Sequence, residues 1–131
     1  KPFVFKLDRP MVGLPGFIDA HTHICFDGSR AQDYAMRNAG KTYLEIAKAG
    51  GGIWDTVTHT RNETKENLTK GIIKRANRHL VNGITTIEVK SGYGLSVQEE
   101  LKMLRAIQSA NLESRADLIP TCLHAFSLWL T

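Results

Sequence analysis

Cysteine is scarce in this chain. Of 131 residues only Cys25 and Cys122 are cysteines, and no CxxC spacing links them to a metal knot or a disulfide framework. The pair reads as two reduced thiols in a cytosolic protein. No apolar run approaches the ~20 residues that span a bilayer, and nothing resembles a signal peptide, so a cytoplasmic, membrane-free protein is expected. Four prolines in all leave no Pro-rich linker, and there are no repeats or low-complexity tracts. An excess of one charge is missing too: 17 Lys and Arg face 13 Asp and Glu, a net charge of +4. The bases are scattered among acids, as in "NETKENLTKGIIKRANRH", so no stripe invites nucleic acid. What is present is 42% hydrophobic residues in a length that suits one packed domain.

Along the chain, apolar strand-like runs alternate with helical patterns. "VGLPGF" offers a Pro-Gly turn, followed by a strand from Phe17 to about Ile24. "ITTIEVK" (84–90) is a β-branched second strand, and "DLIPTCL" (117–123) a third, with Pro120 weakening it or marking a bulge or strand end. A short helix is expected from Thr42 with Glu45 to the glycines at 50–52. A second begins at a Thr60–Glu63 capping box, buries Leu68, Ile72, Ala76 and Leu80, and stops at Asn82-Gly83. A third begins at Ser96–Glu99 and buries Val97, Leu101, Leu104 and Ile107. The order strand, helices, strand, helix, strand predicts an α/β fold with a parallel sheet and helical crossovers. A closed (β/α)8 TIM barrel needs about 250 residues, so these two and a half units make part of one, or an open sheet.

"GFIDAHTHICF" (16–26) sets two imidazoles one residue apart in an apolar run. Side chains alternate along a strand, so Phe17, Asp19, His21 and His23 are expected on one face, the barrel interior. Ile18, Ala20, Thr22 and Ile24 would then meet the helices. Two neutral imidazoles on one face can reach one divalent ion about 2.0–2.1 Å from each nitrogen. A bare HxH is more often a surface pair on an edge strand; its place after a Pro-Gly turn, in the first strand of a β/α series, favours the metal. In strand two, Thr85, Ile87 and Val89 take one face and Thr86, Glu88 and Lys90 the other. Buried charges are costly unless paired, so Glu88 and Lys90 are expected to interact with each other or with polar neighbours, as structural residues.

"PGFIDAHTH" resembles the strand-one signature of the metal-dependent amidohydrolases. With "FDGSR" (26–30), "AGGGI" (49–53), "TTIEVKSGYGL" (85–95) and "ELKMLR" (100–105), residues 14–123 resemble the imidazolonepropionase family, the hydrolases that open an imidazolone ring in histidine degradation. The resemblance implies a barrel with one divalent metal, zinc or iron, held in part by His21 and His23. It implies a metal-activated water that hydrolyses 4-imidazolone-5-propanoate to N-formimidoyl-L-glutamate. Arg30 and Tyr93 would bind this small-molecule substrate, and Asp19, Glu88 and Lys90 would support the site. A homodimer is open to the full-length parent. Residues 1–13 would be a lead-in or the end of a small β domain. The family's later metal ligands and its acid–base glutamate have no counterpart here, so no catalytic residue is assigned. An amino-terminal barrel fragment without activity of its own is expected.

The family's third strand reads roughly T-x-L-G-A-H-A, whereas "TCLHAFSLWLT" lacks the Gly-Ala pair. Either His124 is the substrate-contacting histidine displaced by two residues, or residues 124–131 are a frame or truncation scar. Two other features are declined. "AGKTY" contains GKT, but Ala35 stands where a phosphate-binding loop needs its first glycine. The glycines at 50–52 could cradle an anion but equally mark a helix end. Rival readings are another cyclic amidohydrolase or deaminase on the same scaffold, and a non-catalytic metal-binding or truncated chain.

Overall fold

The structure, a computed structural model, describes residues 4, 6 and 8–123. Three parallel strands in the order β1-β2-β3 form one sheet: β1 (Phe17–Thr22), β2 (Ile84–Lys90) and β3 (Asp117–Thr121). Five helices intervene: α1 (Ala31–Asn38), α2 (Tyr43–Lys48), α3 (Ile53–Asn62), α4 (Lys65–Val81) and α5 (Val97–Glu113). Parallel neighbours need crossovers, and α4 and α5 supply them. The result is an α/β arrangement with β2 at its centre. None of the described helices is long and apolar enough to cross a membrane.

The helix ends follow local chemistry. Thr42 and Glu45 form a reciprocal capping box at α2, and Ser96 Oγ accepts from the Glu99 N–H at α5. The α4 start is corrected by one turn. Its N-cap is Thr64, accepting from the Asn67 N–H at 3.2 Å, while Thr60 is fully buried inside α3. There the Thr60 hydroxyl accepts the Asp27 N–H at 3.1 Å, tying α3 to the segment after β1. Asn82 ends α4, and Gly83 takes the positive φ of 81° that follows. Pro120 pairs in register with Val89; β3 is an edge of this sheet, where a missing N–H is tolerated.

The core lies between sheet and helices. Ile87, Val89 and Leu118 from the strands meet Leu68, Ile72 and Ala76 of α4 and Met103, Ala106, Ile107 and Ala110 of α5. The α4 face is the expected one. The α5 face is rotated: Val97 and Leu101 are exposed, and the buried positions run Glu100, Met103, Ala106, Ile107, Ala110. That series keeps the i, i+3, i+4, i+7 spacing of a buried stripe, but with a carboxylate at its head.

β1 departs from strict alternation. Asp19 pairs with Ile87 and Thr22 with Val89, so three steps along β1 match two along β2. Ile87 and Val89 are fully buried beneath the helices, and in-register partners share a side of the sheet. Asp19 and Thr22 therefore both face the helices, which corrects the expectation that Asp19 shares the histidine face. A bulge of this kind re-aims the side chains that follow it.

Candidate metal centre

The carboxyl ends of the three strands carry the residues of interest. β1 ends at Thr22, whose hydroxyl donates to the Glu88 carbonyl at 2.6 Å and pins the strand end to β2. His21 and His23 flank this anchor, and their ring centroids lie 5.5 Å apart. The loop after β2 brings Tyr93 to the same place, its ring centroid 5.8 Å from that of His23. Beside them opens a mostly apolar cleft of about 350 Å³, walled by His23, Tyr93, Ile53, Trp54, Leu95 and Leu123.

Electrostatics favour a neutral His23. Burial lowers its pKa first, and the neighbouring His21 and Lys90 charges lower it further, against a smaller pull from Glu88. Its Nδ1 is buried without a hydrogen-bond partner. A neutral imidazole with an unused ring nitrogen is the form that ligates a divalent ion, so His23 is chemically suited to serve as one ligand. Among the described residues no group of three or more His, Cys, Asp or Glu is gathered for a metal.

Beneath the histidines, Glu88 and Lys90 form an ion pair with side chains 18% and 13% exposed. The Lys90 ammonium holds the Glu88 carboxyl below the usual carboxylate range. The pairing anticipated from their shared strand face is present. Asp19 instead stands 3.5 Å from His79 Nε2 on α4, and His79 Nδ1 meets the Arg75 carbonyl at 3.0 Å. Arg30 lies at the start of α1, ion-paired with Asp33, and does not line the cleft of His23 and Tyr93. Asp33 also accepts the Gly52 N–H at 2.9 Å, which accounts for the glycine run as a turn held by a side chain. His124 lies outside the described residues.

Three contributors were not anticipated from the sequence. Ile53 and Trp54 open α3 and wall the cleft; two large apolar residues straight after three glycines were the available signal. Glu100 reaches from α5 to the Tyr93 loop. A charged residue on a buried stripe is the pattern that would have exposed it.

The class is an α/β protein with a parallel sheet, in which two imidazoles at the end of β1 meet the tyrosine turn that follows β2. No protein-family model matches the chain. Curated relatives do: imidazolonepropionase of Myxococcus xanthus is 51% identical over 113 residues, 85% of this chain and 27% of the relative. The probable imidazolonepropionase of Dictyostelium discoideum is 52% identical over 98 residues, 75% of this chain and 23% of the relative. The Thermoanaerobacter pseudethanolicus imidazolonepropionase is 44% identical over 124 residues, 94% of this chain and 30% of the relative. Over most of its length the chain is thus a homologue of the imidazolonepropionases, and it spans about a quarter of the length of these relatives.

Proposed function

We propose that this chain serves a metal-dependent hydrolase of histidine degradation, acting on the cyclic amide 4-imidazolone-5-propanoate to give N-formimidoyl-L-glutamate. The observation that carries the reading is the meeting of His23 and Tyr93 at one cleft, with the His21 ring beside that of His23, in a chain about half identical to proteins named for this reaction. In this reading the sheet is a section of a (β/α)8 barrel, in which loops after the strands gather at one face and bear the site.

His21 and His23 would hold the divalent ion, zinc or iron. When bound, that ion would supply Lewis acidity, lowering the pKa of a water and polarising the ring carbonyl. Sites of this kind take three or more protein ligands, so donors from beyond this chain would complete the set, and the chain alone would be inactive. Tyr93 and the Trp54 wall would orient the flat ring and exclude water from it. Glu88 and Lys90, neutralising each other below, would keep the imidazoles of His21 and His23 supported without a net buried charge. Arg30 would reach a substrate carboxylate only by leaving Asp33, an exchange of one carboxylate partner for another.

The test is turnover of 4-imidazolone-5-propanoate by the full-length protein, followed by loss of the imidazolone absorbance, with bound metal measured in parallel. His23→Ala is expected to lower both metal affinity and turnover by at least the roughly 10–100-fold that loss of a metal ligand's supporting partner costs. Turnover of a different cyclic amide or an aminated base in place of the imidazolone would overturn the assignment.

A further inference from the structure

Glu100 is 3% exposed, on the face of α5 that packs into the core. A carboxylate so placed must be satisfied by donors. Its donors all come from one short stretch: the Gly92 N–H at 2.8 Å to Oε2, and the Gly94 and Leu95 N–H groups at 2.8 and 2.9 Å to Oε1. Three charge-assisted bonds to amides on either side of Tyr93 fix that turn to a rigid helix. The backbone is shaped for this grip. Gly92 has φ 118° and Leu95 φ 53°, both in the left-handed region. A Cβ on Gly94 would lie 2.5 Å from the Glu100 backbone nitrogen, so only glycine allows the approach. The other side is held by Arg61 of α3, whose Nε donates to the Gly94 carbonyl at 2.5 Å.

We propose that Glu100 is a positioning residue for the site: its carboxylate holds the Tyr93 turn in a conformation the chain would not keep unaided, and so sets the ring beside His23. Its effect on substrate rests on the function proposed above. Its effect on the turn does not.

The experiment compares the full-length protein with Glu100→Gln, which preserves shape but leaves an amide NH2 facing backbone donors. Hydrogen–deuterium exchange of residues 91–95 reads the turn directly. Protection there is expected to fall at least tenfold, while exchange in α4 and the rest of α5 stays as in the parent. Unchanged protection at 91–95, or equal loss throughout α5, would overturn the proposal. With 4-imidazolone-5-propanoate as the probe, Glu100→Gln is expected to raise KM about tenfold and leave kcat within about twofold. In a Tyr93→Ala background the same substitution is expected to add little, because it acts through the tyrosine. A full additional KM effect in that background would refute positioning through Tyr93. If the parent does not turn over the imidazolone, the function fails while the exchange result still decides the role of Glu100.

Discussion

Met103 and Leu101 are two residues apart on α5, and alanine at each distinguishes two readings of that helix. Apolar spacing alone puts Leu101 in the core; the structure leaves it 41% exposed and encloses Met103 completely. Met103→Ala deletes three heavy atoms from a closed site. At about 0.8 kcal/mol per methylene-sized group, transfer costs about 2.4 kcal/mol, and the cavity left behind brings the loss to about 3–4 kcal/mol. Leu101→Ala deletes a similar volume from a position already open to water, for about 1 kcal/mol and no cavity. Urea unfolding followed by circular dichroism reads both. With an m-value of about 1.5 kcal/mol/M, the midpoint should fall by about 2 M for Met103→Ala and by less than about 1 M for Leu101→Ala. Equal losses, or a larger one at Leu101, would refute the rotated packing of α5 and with it the buried placement of Glu100.

Two further outcomes are expected. Burial pushes the Cys25 thiol up to about 12 and encloses it fully, whereas Cys122 is exposed; a thiol-reactive chromophore should therefore titrate one cysteine in the native protein and two in denaturant. The Asp33 carboxyl is held below its usual range by the Gly52 N–H first and by Arg30, and that of Glu63 by the Thr64 N–H first and by Asn67. Both groups thus contribute stability that is present above the ordinary carboxylate range, about pH 4–4.5, and lost as pH falls through the lowered values. Urea midpoints measured from pH 7 to 3 should fall along that limb, and Asp33→Asn should flatten part of it; an unaltered acid limb in that variant would contradict the Asp33 contacts.

Much of the scaffold is legible in the residues. A Pro-Gly turn before a strand-like run marks β1, a β-branched run marks β2, Thr42–Glu45 and Asn82-Gly83 mark helix ends, and Leu68, Ile72 and Ala76 mark the face of α4. These exceptions share a cause: each is a place where a polar group is satisfied by a partner outside its own helix or strand. Thr60 looks like a cap until its hydroxyl is seen accepting from Asp27. Asp19 follows the histidines by parity until the β1 bulge, invisible in a list of residue types, turns it toward His79. Glu100 violates the apolar template because its donors lie in a loop that the helix pattern does not include. In the site, the histidine pair and the Glu88–Lys90 pairing could be read from period-two alternation. The Ile53–Trp54 wall carries only the faint signal of two large apolar residues after three glycines, because its place beside His23 depends on tertiary packing.

Ser91 has a consequence reaching past its own position. Its N–H bonds the Thr121 carbonyl at 2.9 Å, and its hydroxyl accepts the Leu123 N–H at 3.1 Å. The ladder between neighbouring strands is thereby prolonged beyond Lys90, like a zip fastened past its last tooth. Whatever displaces the backbone at 121–123 therefore tugs on the root of the tyrosine turn, and substitutions in that short exit would be heard at the cleft mouth even where they touch nothing in it.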